Sequence, residues 1–69
     1  MDYTETAIKV GEKIKENRLK NNLTQMDLAS LCNIERSNLS RIESGKSNVT
    51  LQTLVLISDA LNIDIKELF

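Results

Sequence analysis

A chain of 69 residues with one cysteine and neither histidine nor proline is a single domain, near the lower size limit for folding without a staple. The lone cysteine cannot close an internal disulfide, and without histidine the usual zinc ligand sets are missing. Hydrophobic residues at 41% with only 3% aromatics point to an aliphatic helical core, whereas a net charge of −1 speaks against a nucleic-acid partner.

The distribution of that charge softens the objection. Residues 9–46 carry eight Lys/Arg against five Asp/Glu, a local +3, while the flanks 1–8 and 47–69 carry −2 each. A basic middle with acidic ends is what a footprint on one face produces. No apolar run approaches the roughly 18–20 residues that span a bilayer. The start, MDYTETAIKV, lacks the basic lead and apolar core of a signal peptide. With the single cysteine, these points predict a reducing, cytoplasmic setting.

Residues 1–6 are polar and are expected to be loose, with Tyr3 the only aromatic before Phe69. A first helix is predicted from Ala7 to Asn21, with Ala7, Val10, Gly11 and Ile14 on its inner face. Lys9, Glu12, Lys13, Glu16 and Lys20 fall at helical intervals and read as a solvated face. Asn21-Asn22 break the helix, and the domain proper is expected to run over residues 7–69.

Residues 24–45, TQMDLASLCNIERSNLSRIESG, read as two short helices joined by a tight turn. Thr24 is a good N-cap, and Asp27 can reach back to its N–H as a capping box. Leu28, Leu31 and Cys32 are expected on one buried stripe, with Cys32 a small core residue. Asn33 tolerates the left-handed conformation that ends this helix, and Ile34 plugs the gap. The next helix runs from about Glu35 to Ser44, where Gly45 stops it.

On that helix, with Arg36 at zero, Leu39 and Ile42 fall near ~300° and ~240° and mark the buried side. Ser37, Ser40 and Arg41 fall near ~100°, ~40° and ~140°, so with Arg36 they share the opposite arc; Asn38, near ~200°, lies at its border. Two guanidinium groups and short hydroxyls without a bulky apolar neighbour suit the DNA major groove, where arginine grips guanine with two hydrogen bonds. Alone, such an arc is more often an ordinary solvated helix face, since such faces are common. The helix in front of it changes the balance.

Residues 10–69 resemble the Cro/cI-type helix-turn-helix domains of the xenobiotic-response-element family. The resemblance rests on an ordered set: Leu23-Thr24-Gln25, Leu28-Ala29, Leu39-Ser40-Arg41-Ile42-Glu43 and Gly45. Thr50-Leu51, Leu54, Ile57, Ala60-Leu61 and Glu67-Leu68-Phe69 complete it. It implies an all-α, compact five-helix fold like that of lambda repressor, with the helix-turn-helix formed by helices 2 and 3. It also implies a largely buried ion pair between Arg18 and Glu43 that ties helix 1 to helix 3. Ala29 would sit where helices 2 and 3 approach most closely, and Gln25 would point with the helix N-terminus at a phosphate. Asn17 and Glu35 depart from the pattern, the first standing for an apolar residue and the second for a short polar cap.

Gly45-Lys46-Ser47-Asn48-Val49 reads as a connecting loop, with Thr50 as the next N-cap. In the resembling family this loop follows the sugar-phosphate backbone, and Lys46, Ser47, Asn48 and Thr50 have the chemistry for that. A generic polar loop would have the same composition. Thr24, Gln25 and Ser40 join them as expected phosphate contacts, and Arg36, Ser37, Asn38 and Arg41 are the expected base contacts. Helix 4 is predicted over Leu51–Leu61 with Leu51, Leu54, Ile57 and Leu61 facing inward, then Asn62, Ile63 and a capped final turn from Asp64. Val55, Leu56, Ile65, Leu68 and Phe69 exceed what one small domain needs to bury; some belongs to the core, and the remainder forms a candidate dimer face.

These readings converge on a sequence-specific regulator acting as a homodimer on a palindromic or pseudo-palindromic double-stranded DNA operator. A second, ligand-sensing domain is not expected, so activity would follow protein concentration or a partner such as a toxin or a polymerase subunit. A small phage repressor, a restriction–modification controller and an antitoxin all fit. The rival class is a protein-interaction module on the same fold, favoured by the acidic pI and opposed by the Arg36/Arg41 arc. An enzyme lacks support: there is no histidine, activated nucleophile or glycine-rich phosphate loop. No cofactor or metal is expected.

Overall fold

Asp2 starts the first helix. In the computed structural model, which describes residues 2–69, its carboxylate accepts the N–H of Thr4 at 3.1 Å, and α1 runs over Tyr3–Lys20. Residues 3–6, expected to be loose, therefore form the first turn of α1, while Met1 lies outside the described residues. The polar make-up of this turn hides it from hydrophobic periodicity; only the capping aspartate marks it. Asn21 ends the helix, and Asn22 turns the chain in a left-handed conformation at φ 58°.

Helix α2 (Gln25–Cys32) opens with the full capping box of Thr24 and Asp27 and closes on left-handed Asn33, φ 55°. Helix α3 (Arg36–Glu43) has Glu35 at its N-cap with no side-chain hydrogen bond, as befits a side chain longer than the usual caps. Gly45, at φ 76°, makes the turn that follows. Helix α4 (Leu51–Leu61) is capped by Thr50, whose hydroxyl accepts the N–H of Thr53, and ends on left-handed Asn62. A closing 3-10 turn, Ile65–Leu68, carries its own capping box from Asp64 and Glu67. The described residues thus hold four α-helices and a short 3-10 turn, an all-helical fold with the fifth expected helix reduced to that turn.

The helices enclose one core. Helix α1 contributes Val10 and Ile14; α2 adds Leu28, Ala29 and Cys32; α3 adds Leu39 and Ile42; α4 adds Leu54, Ile57 and Leu61. Leu68 of the closing turn completes it. Helix α1 packs on α3, α4 and the closing turn, and α2 on α3 and α4, so α3 is held from both sides. The Cα radius of gyration is 10.6 Å, near the ~11 Å expected of one domain this long.

Three leucines depart from expectation. Leu31 is 62% exposed: with Leu28 at zero, the buried side of α2 covers Cys32 and Ala29 at ~40° and ~100°, and Leu31 falls on the other edge at ~300°. Leu51 is 68% exposed because a side chain in the first turn leans past the helix N-terminus rather than into the packed layer. Leu68, expected on a dimer face, is fully buried, since the closing turn folds back onto α1 and α4. No helix of the described residues is long and apolar enough to cross a membrane.

Candidate nucleic-acid interface

Burial of Leu39, Ile42 and Glu43 fixes how α3 is presented. With those side chains turned inward, Arg36, Ser37, Asn38 and Arg41 are exposed and Ser40 is half-buried at the margin. Ser37, Asn38 and Arg41 line an open polar depression of about 480 Å³ with Asn33, Ile34 and Glu35. Arg36 stands on the other border of the arc, toward α2, where its Nη1 donates to Gln25 Oε1 at 3.4 Å.

Arg18 and Glu43 are brought together beneath this arc. Arg18 Nε donates to Glu43 Oε2 at 2.7 Å and Nη2 to Oε1 at 3.1 Å, the two-toothed geometry that suits guanidinium and carboxylate. Arg18 Nη1 donates to the Leu23 carbonyl at 2.8 Å, so the guanidinium also grips the connection between α1 and α2. Both side chains are buried, at 8% and 4% exposure, and among the described residues no buried side-chain polar atom is left without a partner. Such a pair adds little net stability over an apolar one, but losing either partner would strand the other's buried charge.

Gln25 lies half-buried, and its Nε2 donates to Glu43 Oε1 at 3.0 Å. Its amide therefore turns toward α3, where the sequence expectation has it pointing at a phosphate. Thr24 uses its hydroxyl oxygen to cap Asp27, 3.0 Å away, and remains exposed. In return the Thr24 N–H, and then its hydroxyl, hold the Asp27 carboxyl below its ordinary pKa. Burial pushes the Cys32 thiol up, which suits a core residue and opposes thiolate chemistry.

The loop after α3 places Lys46, Asn48 and Thr50 in solvent and half-buries Ser47. Tyr3, to which sequence reasoning gave no role, donates its hydroxyl to the Ser47 carbonyl at 3.1 Å and to Asn48 Oδ1 at 3.3 Å. Gly45 lies against Ile8 so closely that a β-carbon would meet Ile8 Cγ1 at 2.7 Å. The first two turns of α1 thus back the loop. No local pattern announces this, because the partners are 44 and 45 residues apart. Elsewhere Val55, Leu56 and Phe69 are exposed, Ile65 is half-buried and Leu68 belongs to the core.

Comparison with known proteins agrees with this fold. The helix-turn-helix family model HTH_3 matches residues 14–68. The control protein C.BamHI of Bacillus amyloliquefaciens is 41% identical over 59 residues, covering 84% of this chain and 73% of the relative. The control protein C.MunI of Mycoplasma sp is 41% identical over 63 residues, covering 90% and 85%. Among solved structures, the restriction–modification controller protein C.AhdI of Aeromonas hydrophila superposes with a TM-score of 0.89. It is 35% identical, with 91% of this chain and 96% of that one covered.

Proposed function

The chain belongs to the helix-turn-helix family, and on that premise we propose that it regulates transcription by binding double-stranded DNA as a homodimer, with α3 in the major groove. One observation carries the reading. Helix α3 is clamped between α1 and α2 by its apolar side and by Glu43, which leaves Arg36, Ser37, Asn38 and Arg41 as one exposed, side-by-side group. These would contact base edges, the arginines as two-toothed donors to guanine.

Thr24, Ser40, Lys46, Ser47, Asn48 and Thr50 would meet the sugar-phosphate backbone on either side and fix the register without reading sequence. Gln25, at the α2 N-terminus, flanks them. Val55, Leu56 and Phe69, with Ile65 at the margin, would pair two subunits about a two-fold axis. That symmetry presents two copies of α3 to half-sites about 34 Å apart. The likeness to control proteins supports a restriction–modification controller.

The test is a titration of a labelled duplex from upstream of the protein's own gene, and of duplexes selected from a random pool, at two salt concentrations with random competitor. The expected result is competitor-resistant binding that steepens with dimer formation and weakens as salt rises. Weak binding equal for every duplex, the selected ones included, overturns the reading.

A further inference from the structure

The loop that joins α3 to α4 is anchored at its two ends. At its start the Lys46 N–H closes α3 on the Arg41 carbonyl at 3.0 Å, and Gly45 lies hard against Ile8. At its end Val49 packs on the core and Thr50 caps α4. Between these anchors, among the described residues, the hydrogen bonds to Ser47 and Asn48 come from Tyr3 alone. Its hydroxyl donates to the Ser47 carbonyl at 3.1 Å and shares that hydrogen with Asn48 Oδ1 at 3.3 Å. With Oδ1 turned to the phenol, the Asn48 NH₂ is left to donate outward.

Tyr3 is placed in turn by its own helix. It is the first residue of α1, and Asp2 holds that turn in shape: its carboxylate accepts the Thr4 N–H and its carbonyl accepts the Thr6 hydroxyl, each at 3.1 Å. A tyrosine has only two side-chain torsions to fix, so it loses little freedom in holding a partner. A loop that orders only when DNA arrives loses its freedom on binding, which weakens affinity, whereas a loop already tied loses less. Contacts from Lys46, Ser47 and Asn48 to the sugar-phosphate backbone carry no base information, so the gain falls on every sequence alike.

We propose that Tyr3 is a positioning residue for backbone contact, a strap from the first turn of α1 that holds Ser47 and Asn48 in the shape that meets DNA phosphate. This rests on the reading of the α3–α4 loop as a phosphate contact.

The experiment compares the wild type with Tyr3→Phe, which keeps the ring and removes the hydroxyl. Both bonds lie at the exposed surface, so water replaces the phenol and the melting temperature should be nearly unchanged. Binding is measured on a duplex selected from a random pool, on its single-base-pair variants and on random duplex. Affinity should fall about threefold for each subunit engaged, the worth of one exposed hydrogen bond, and so about tenfold for a dimer on a paired site. The ratios between duplexes should not change. Nuclear magnetic relaxation of the free protein gives a readout independent of DNA: the Ser47 and Asn48 amides should become more mobile in Tyr3→Phe. Unchanged affinity overturns the inference. Weaker binding with unmoved loop amides does so too, because Tyr3 would then touch DNA itself, and so does a loss confined to particular base pairs. A wild type that binds no duplex overturns the DNA-binding reading and this inference together, whereas failure of the strap alone leaves wild-type binding intact.

Discussion

Gly11 of α1 lies directly against the last turn of α3: a β-carbon there would stand 2.5 Å from the carbonyl oxygen of Glu43, and as near to that of Ile42. This approach lets Arg18, two turns further along α1, reach the Glu43 carboxylate. Two effects compete in Gly11→Ala. Alanine is the better helix former by about 1 kcal/mol. The clash, however, is with helical backbone, which cannot rotate away as a side chain can, and overpacking of this kind costs about 1–3 kcal/mol. We expect a net loss of stability and a lower urea midpoint. An unchanged or raised midpoint would mean that α1 and α3 can separate freely.

Glu43 and Glu35 flank the same helix and should behave oppositely. Truncating Glu43 strands the buried Arg18 guanidinium, a change that costs about 3–5 kcal/mol. A domain of this length has only about 3–10 kcal/mol to lose. Glu35 is exposed and its side chain makes no cap bond, so Glu35→Ala should stay within about 0.5 kcal/mol of the parent. Thermal melts followed by circular dichroism would check the contrast. Replacing both partners, as Arg18→Met with Glu43→Leu, should recover much of the loss. Equal melting temperatures for Glu43→Ala and Glu35→Ala would rule out a stranded charge.

Legibility followed the range of the interaction. The bounds of α2 and α3 could be read closely because Thr24, Asp27, Asn33 and Gly45 are local signals whose chemistry acts within a turn. Arg18 and Glu43 are 25 residues apart, and only a family resemblance could join them. Periodicity said that Leu31, Leu51 and Leu68 are apolar at helical spacing, but not which neighbours would cover them. Two were therefore misplaced inward and one outward. The inward turn of Gln25 was hidden for a similar reason: it depends on where the Glu43 carboxylate lies after folding.

Asp27 should leave an acid-side mark on stability. Its carboxylate accepts the Thr24 N–H at 2.9 Å, which with the Thr24 hydroxyl lowers its pKa in the folded state. A lowered folded pKa means that the stabilising contribution is complete above the unfolded value, about 3.9, and is lost as pH falls through the folded one. Asp27→Asn keeps an oxygen for the Thr24 N–H but removes the titration. Denaturation midpoints measured from about pH 6 down to pH 2 should therefore fall less steeply below pH 4 in Asp27→Asn than in the parent. Parallel curves would show that the capping box does not couple to protonation.

Arg36 and Arg41 should divide from Lys46 by the kind of loss they cause. An arginine gripping a base edge contributes discrimination, so Arg36→Ala or Arg41→Ala should cost about 1–3 kcal/mol on the preferred duplex and far less on others. Lys46 extends from the loop into solvent beside Ser47 and Asn48, whose backbone carbonyl and side-chain Oδ1, respectively, accept from Tyr3. Lys46→Ala should weaken binding to every duplex alike and reduce the salt slope by about one unit. Titrations on preferred and random duplexes at several salt concentrations separate the two. A change of site preference from Lys46→Ala without one from Arg36→Ala would move the reading surface off α3.

Leu56 and Leu68 were expected on the same face, but they should fail in different ways. Leu68 is wholly enclosed by α1, α4 and its own turn, so Leu68→Ala opens a cavity and should cost about 2–5 kcal/mol whatever the protein concentration. Leu56 is 42% exposed, as is Val55 beside it, and Leu56→Glu removes little from the core. Its effect should instead appear in assembly: a monomer by sedimentation, with the melting temperature of the dilute protein nearly unchanged. Binding to a paired site would weaken by about 10²–10⁴, because the second half-site is no longer engaged from within one complex. A Leu56→Glu protein that sediments as the parent does and binds the paired site equally well would place the subunit contact elsewhere on the surface.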